Sequence, residues 1–348
     1  MLDAAIHALA YAWGKPAATG RLRQCPEDFQ VTEIPLLEPD GAGEHVWLWI
    51  RKRGENTLYV AEQLSTLAGV HPRQVSFAGL KDRYAVTEQW FSVQLSGRDE
   101  PSWETMNSDT LTVLRHARHS RKLRRGALKG NTFNITVRAM DGDSRELERR
   151  LGVILKEGVP NYFGEQRFGR DGSNLQTADR LFNNPKQRLS RNKRSLTLSS
   201  ARSFLFNQLL SARVNAGNWN VPLVGDAMQL DGTHSYFIAE SVDADLSRRV
   251  ASQDIHPTGP LYGLGETPAQ GACRELEAAV LADHASWCAG LEAAGLKQDR
   301  RALRLHVTDL VWQWGPSGEL LLTFSLPAGA YATSVLREVV QADAAGRG

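Results

Sequence analysis

Strand-like alternation fills most of the first 140 positions, stops, and returns only after about residue 304. That interruption is the tightest constraint on the fold. Apolar and polar residues alternate in "EDFQVTEIP" (27–35), and in "HVWLWIRKR" (45–53) both faces are apolar, as expected of a central strand. Val75–Ala78, Val86–Leu95 and the Phe133, Ile135, Val137 run read as further strands. Helical spacing is confined to "NTLYVAEQLSTLAGV", with Asn56 as cap and Gly69 as stop, and to 144–158. Strands that follow one another without alternating helices predict an α+β fold with a largely antiparallel mixed sheet.

From about residue 159 the texture changes. "NYFGEQRFGRDGSNL" is rich in Gly and Asn, a helix is expected over 200–214, a short strand near 236–239, and a long Ala-rich helix over 272–294. Then "LRLHVTDLVWQW" and "ELLLTFSLP" flank "GPSG" as a hairpin, and "AYATSVLREVVQ" closes as a helix. This predicts a domain formed by 1–156 and 304–348, interrupted by an inserted α+β domain at 157–303.

Several function classes are poorly supported. No run approaches the ~18 apolar residues of a membrane span. "MLDAAIHALAYAWGKP" lacks the cationic start of a signal peptide, so a cytoplasmic location is expected. Cys25, Cys273 and Cys288 form no C-x-x-C pair, which predicts neither disulfides nor a zinc site. There is no Walker loop, HExxH or GxSxG, and hence no expected cofactor or metal.

Net charge is only +2, but its distribution is uneven. Residues 115–130 carry Arg115, Arg118, Arg121, Lys122, Arg124, Arg125 and Lys129 without an acid. Residues 185–195 carry Lys186, Arg188, Arg191, Lys193 and Arg194, also without one. Such patches suit a phosphate backbone, or are two solvated loops.

Carboxylates and aromatics remain as chemistry. "FAGLKDRYAVTEQW" (77–90) sets Asp82 between Lys81 and Arg83 in a bend between two apolar runs. The flanking cations favour an ionised carboxylate, which serves as nucleophile or base, or simply as a turn residue in surface salt bridges. "KGNTFNI" (129–135) puts Asn131 and Phe133 on one side of a strand entry. That pair can grip a base edge and face, or be a turn Asn followed by a core Phe.

The 77–90 stretch resembles the active-site motif of the TruD family of tRNA pseudouridine synthases. "PEDFQVTE", "RKLRRGALKGNTFNI", "GVPNYFGEQRFGRDGSNLQ", "RNKRSLTLSSARSFLFNQ" and "LPAGAYATSVLRE" resemble its other blocks, in the family's order and over nearly the whole chain. The resemblance implies a pseudouridine-synthase sheet domain interrupted by a family-specific domain, and isomerisation of uridine 13 in the D-stem region of tRNA. Asp82 matches the catalytic aspartate. Phe29, Asn131 and Phe133 match residues around the target base. Tyr331 falls where relatives can carry Phe, and Arg23, where relatives can carry Lys, is the expected partner of Asp82. The backbone candidates are Arg121, Lys122, Arg124, Arg125, Lys129, Arg191, Lys193 and Arg194. The reaction is redox-neutral and needs no cofactor, and no protein partner is implied. Two other classes stay open: a non-catalytic RNA-binding protein on this fold, and a carboxylate-dependent hydrolase with Glu27 or Glu33 as second acid.

Overall fold

The structure is a computed structural model that describes residues 6–184 and 187–344. Among them, 17–143, 308–329 and 340–344 form one compact unit, here the sheet unit. Residues 6–16, 144–307 and 330–339 form the other, the helical unit. Pro185 and Lys186, part of the second basic stretch, lie outside the described residues.

In chain order the sheet unit opens with β1 (Thr19–Leu22), β2 (Phe29–Pro35), β3 (His45–Arg53), α1 (Thr57–Leu67), β4 (Val75–Phe77), β5 (Val86–Gln94), β6 (Leu111–His119) and β7 (Leu128–Asp141). The helical unit follows with α2 (Ser144–Glu157), β8 (Val159–Pro160), α3 (Ser173–Asn183), α4 (Arg191–Asn215), β9 (Ala227–Leu230), β10 (Tyr236–Ile238) and α5 (Ala244–Ala251). It continues with β11 (Ile255–Leu261), α6 (Gly271–Ala282), α7 (Ala285–Ala293), β12 (Asp299–Ala302) and β13 (Arg304–Leu305). β14 (Thr308–Trp314) and β15 (Leu320–Pro327) return to the sheet unit, α8 (Ala332–Val339) to the helical unit, and β16 (Gln341–Ala344) to the sheet.

The main sheet runs β14-β15-β7-β2-β5-β3-β6, with β4 on β5 and β1 between β7 and β16. All pairings are antiparallel except β2 with β5 and β1 with β16. The fold is therefore α+β with a largely antiparallel mixed sheet. β3 explains why its sequence is apolar on both faces. Val46, Leu48 and Ile50 pack under α1 with Val60, Leu64 and Phe91, while Trp47 and Trp49 pack on the other face with Trp90 and Leu123. Asn56 caps α1 by accepting from the Leu58 N–H at 3.0 Å. That cap is worth ~1 kcal/mol.

In the helical unit α4 runs through a core of Phe204, Leu205, Phe206 and Leu210, against Leu175 of α3 and Leu291 of α7. A four-stranded sheet, β10-β9-β11-β12, and the β13-β8 pair complete this unit. It contains the expected insertion 157–303 and reaches beyond it, for reasons the hydrogen bonds supply. Arg150 of α2 donates to Gly14 O at 2.8 Å and Glu338 O at 3.1 Å. Arg337 donates to Leu9 O and Ala10 O, and the Ala12 and Trp13 N–H groups donate to the Glu338 carboxylate. Residues 6–16, α2 and α8 thus close around one another.

Several elements differ from the sequence expectation. The Ala-rich run is two helices, because the chain breaks at Asp283 and His284. The helix expected over 200–214 begins at Arg191, so the basic residues there occupy its first turn instead of a loop. The terminal helix stops at Val339, and Gln341–Ala344 pairs in parallel with β1. β6 was hidden within the first basic stretch: only Leu111, Val113 and His119 are buried, as befits an edge strand. Among the described residues no helix is long and apolar enough to cross a membrane.

Candidate active site

Asp82 lies in the bend between β4 and β5, and the bend is held by buried groups on both sides. Gln89, on β5, donates to Gly79 O at 2.9 Å. The Thr57 hydroxyl, at the start of α1, accepts from the Lys81 N–H at 3.1 Å. Lys52, on β3, donates to Asp82 O and Glu55 O, each at 2.8 Å. Lys81 does not reach solvent: its Nζ pairs with Glu33 Oε2 at 2.9 Å, and both side chains are almost fully buried. Glu33 Oε1 accepts from the Trp90 N–H at 3.3 Å. Of the two cations flanking Asp82, only Arg83 is exposed, and its Nε donates to Gly54 O.

With its backbone fixed, the Asp82 carboxylate is left half-buried, and Arg23 Nη2 donates to Oδ2 at 2.8 Å. Arg23 adopts φ 57°, a left-handed conformation that costs about 1–2 kcal/mol for a residue with a Cβ. Its guanidinium also lies 3.9 Å from the centroid of the Phe29 ring. Phe29 meets Phe133 edge-on at 6.1 Å, and Phe133 stacks on Phe324 at 5.4 Å. The antiparallel register makes this row: β7 lies between β2 and β15, opposing Phe133 to Val31 and Phe324. Asn131 sits one side-chain period earlier on β7, opposite Glu33, and its Oδ1 is buried without a partner. Gly130, the residue before it, allows the close approach of β15, since a Cβ there would meet Leu326 O at 2.2 Å.

Of the six residues expected around the reaction, Arg23, Asp82, Phe29 and Phe133 are linked by contacts, and Asn131 lies on the same strand as Phe133. Tyr331 belongs to the helical unit, where its ring is 6.0 Å from that of Phe163. Phe133 is only 7% exposed. Phe133→Ala should therefore cost about 3–5 kcal/mol of stability by leaving a cavity between two rings. Thermal unfolding combined with single-turnover kinetics on the folded fraction will show whether the ring also serves the reaction. Normal turnover by that fraction would confine Phe133 to the core.

Lys52 and Phe324 were missed by the sequence reading. Lys52 did leave a trace there, since it shares the Val46, Leu48, Ile50 face of β3 and is fully buried. Burial lowers its ammonium to about 8, against the partial opposition of the Asp82 charge. The unfolded value is ~10.4. Between pH 8 and about 10.4 the unfolded chain thus holds more protons on this residue, so its contribution to stability rises with pH. Neutralisation leaves two N–H donors for its two carbonyl acceptors. Comparing unfolding free energies of wild type and Lys52→Met across this window should show the slope only in wild type. Identical slopes would contradict this assignment.

The first basic stretch is not uniformly free. Arg121, Lys122, Arg124, Arg125 and Lys129 are all exposed, yet the Lys122 Nζ donates to Arg73 O and the Arg125 guanidinium lies 3.6 Å from the Phe77 ring centroid. Arg191, Lys193 and Arg194 are exposed on the first turn of α4, which is capped by Ser190. Among the described residues no group of three or more His, Cys, Asp or Glu could hold a metal.

The two acids that a hydrolase would need as a second carboxylate are otherwise engaged. Glu33 is the buried partner of Lys81, and the Arg53 hydrogen bond holds Glu27 below the usual carboxylate range. A general acid requires the opposite shift.

The family profile "tRNA pseudouridine synthase D (TruD)" matches residues 5–181 and 172–339. A tRNA pseudouridine synthase D of Nitrosococcus oceani is 53% identical over 97% of this chain and 95% of its own length. That of Methylococcus capsulatus is 51% identical over 97% and 96%. In fold, the chain is similar to a TruD crystal structure from Methanosarcina mazei, with a TM-score of 0.75, 24% identity and 97% coverage of both chains.

Proposed function

Because the chain belongs to the TruD family of tRNA pseudouridine synthases, isomerases acting on tRNA, we propose that it converts uridine 13, in the D-stem region, to pseudouridine. The observation that carries this reading is the Asp82 carboxylate held on a pinned bend, paired with Arg23 beside the Phe29–Phe133 row.

The reaction breaks the N1–C1′ bond, turns the uracil and joins C5 to C1′, with loss of the C5 proton. Asp82 acts at the sugar or the base: by attack on C1′, by addition to C6, or by removing the 2′ proton to give a glycal. Each route uses a carboxylate whose position is set before substrate arrives, and the hydrogen bonds at Gly79 O, the Lys81 N–H and Asp82 O supply that. Arg23 orients the carboxylate. Phe29 and Phe133 offer apolar surface to the base, and the unpartnered Asn131 Oδ1 is suited to accept from the uracil N3–H. The sheet unit carries the chemistry, and the inserted segment 157–303 contributes to tRNA binding. A cytoplasmic location accords with that substrate.

Uridine in a folded tRNA must be extruded before it meets Asp82, at a cost of a few kcal/mol. Phosphate contacts offset it. Log affinity should fall linearly with log salt, with a slope of roughly −0.7 to −0.9 per neutralised phosphate. Arg121 and Arg124, like Lys129, have exposed side chains with no hydrogen bond, ion pair or ring contact among the described residues. Replacing both with Ala should flatten the slope by about 1.4–1.8. An unchanged slope would place the RNA away from this run.

Incubation with a uridine-13 transcript, followed by mass measurement, separates the three classes. Isomerisation leaves the nucleoside mass unchanged while altering its retention, hydrolysis releases a base, and simple binding does neither.

A further inference from the structure

Leu80 is 65% exposed, the highest value among the large hydrophobic side chains of the described residues. Its position two residues before Asp82 makes that exposure notable, because it does not come from a loose loop. The carbonyl before it, Gly79 O, accepts from Gln89, which is fully buried. The N–H after it, that of Lys81, donates to the buried Thr57 hydroxyl. The Lys81 side chain is anchored in the buried pair with Glu33, and Asp82 O is anchored on Lys52. Every backbone anchor around Leu80 thus points inward, and the side chain is left in water two residues from Asp82. An isobutyl group kept there buries little apolar surface on folding, so it adds little hydrophobic stabilisation to the free chain.

We propose that Leu80 is a wedge: it enters the tRNA base stack in the space left by the uridine that turns toward Asp82. Apolar side chains that insert between bases hold a stack open in this way. The geometry is suited to it, because one rigid bend presents the wedge and the carboxylate two residues apart, and occupying the gap opposes return of the base. Leu80 is a positioning residue in this scheme. It acts on the flipping equilibrium and leaves the chemical step to Asp82. The inference rests on the function proposed above.

The test compares wild type, Leu80→Ala, Leu80→Met and Leu80→Lys on a uridine-13 tRNA transcript. Because Leu80 is exposed, melting temperatures should agree. The single-turnover rate of Leu80→Ala should fall about tenfold, the size of a lost stacking contact, while transcript affinity stays within about threefold, since phosphates supply most of it. Leu80→Met should restore the rate and Leu80→Lys should not, because a gap in a stack needs apolar bulk and not charge. A rate within threefold of wild type for Leu80→Ala would overturn the wedge alone, as would equal rescue by Lys and Met. Absence of pseudouridine with wild type would overturn the function and the wedge together.

Discussion

Asp82→Asn should abolish pseudouridine formation, by at least about a thousandfold in single turnover, while tRNA affinity changes by less than about threefold. The substitution is nearly isosteric. The bend survives it, because the contacts that fix the bend go to Gly79 O, the Lys81 N–H and Asp82 O, none of which belongs to the Asp82 side chain. The Arg23 ion pair is weakened to a hydrogen bond from the charged guanidinium to a neutral amide oxygen. Both side chains are about a third exposed, so the stability at stake is small, of order 0–1 kcal/mol. What disappears is the charge that can attack, add or accept a proton. A melting temperature near wild type with no turnover is the expected combination. Near-normal turnover by the Asn variant would remove Asp82 from the mechanism.

Lys81→Met should strongly destabilise the fold around the site. The Glu33 carboxylate is 1% exposed and accepts from the Lys81 ammonium and the Trp90 N–H. Removing the ammonium leaves a buried charge with one backbone donor, at a cost of about 3–5 kcal/mol. The double variant Glu33→Gln, Lys81→Met removes the orphaned charge as well and should recover a large part of that loss. Denaturant unfolding of the four-member cycle measures both. Additive losses, with no recovery in the double variant, would mean the pair does not interact as the 2.9 Å geometry indicates. Because Lys81 adjoins Asp82, the single variant should also turn over slowly even where it remains folded.

The roles of three adjacent residues could not be separated in the sequence. Lys81, Asp82 and Arg83 read as one charged cluster, yet one is buried in an ion pair, one is presented, and one is exposed. What decides is Glu33, about fifty positions away, and only the parallel pairing of β2 with β5 brings it near. Long-range pairing likewise hides Phe324, whose place beside Phe133 depends on the register of β15 against β7. Local signals were legible where the period was strong. β3, α1 with its Asn56 cap, β7 and the 315–318 turn appear where alternation and turn residues put them. Edge elements were not. β6 is polar along most of its length, as an edge strand can be, and β16 is only 4 residues long just after a helix, too short for its alternation to register as a strand. The helical unit was recognisable as a change in texture, but its reach to residues 6–16 and α8 depends on Arg150, Arg337 and Glu338, whose partners are distant in sequence.

The most direct test of the central claim is site-resolved mapping of pseudouridine in two tRNA transcripts incubated with the protein, one with uridine at position 13 and one with cytidine there. The account predicts a single new pseudouridine, at position 13 of the first transcript, and none in the second. No pseudouridine in either, or the same modification elsewhere in both, would contradict it.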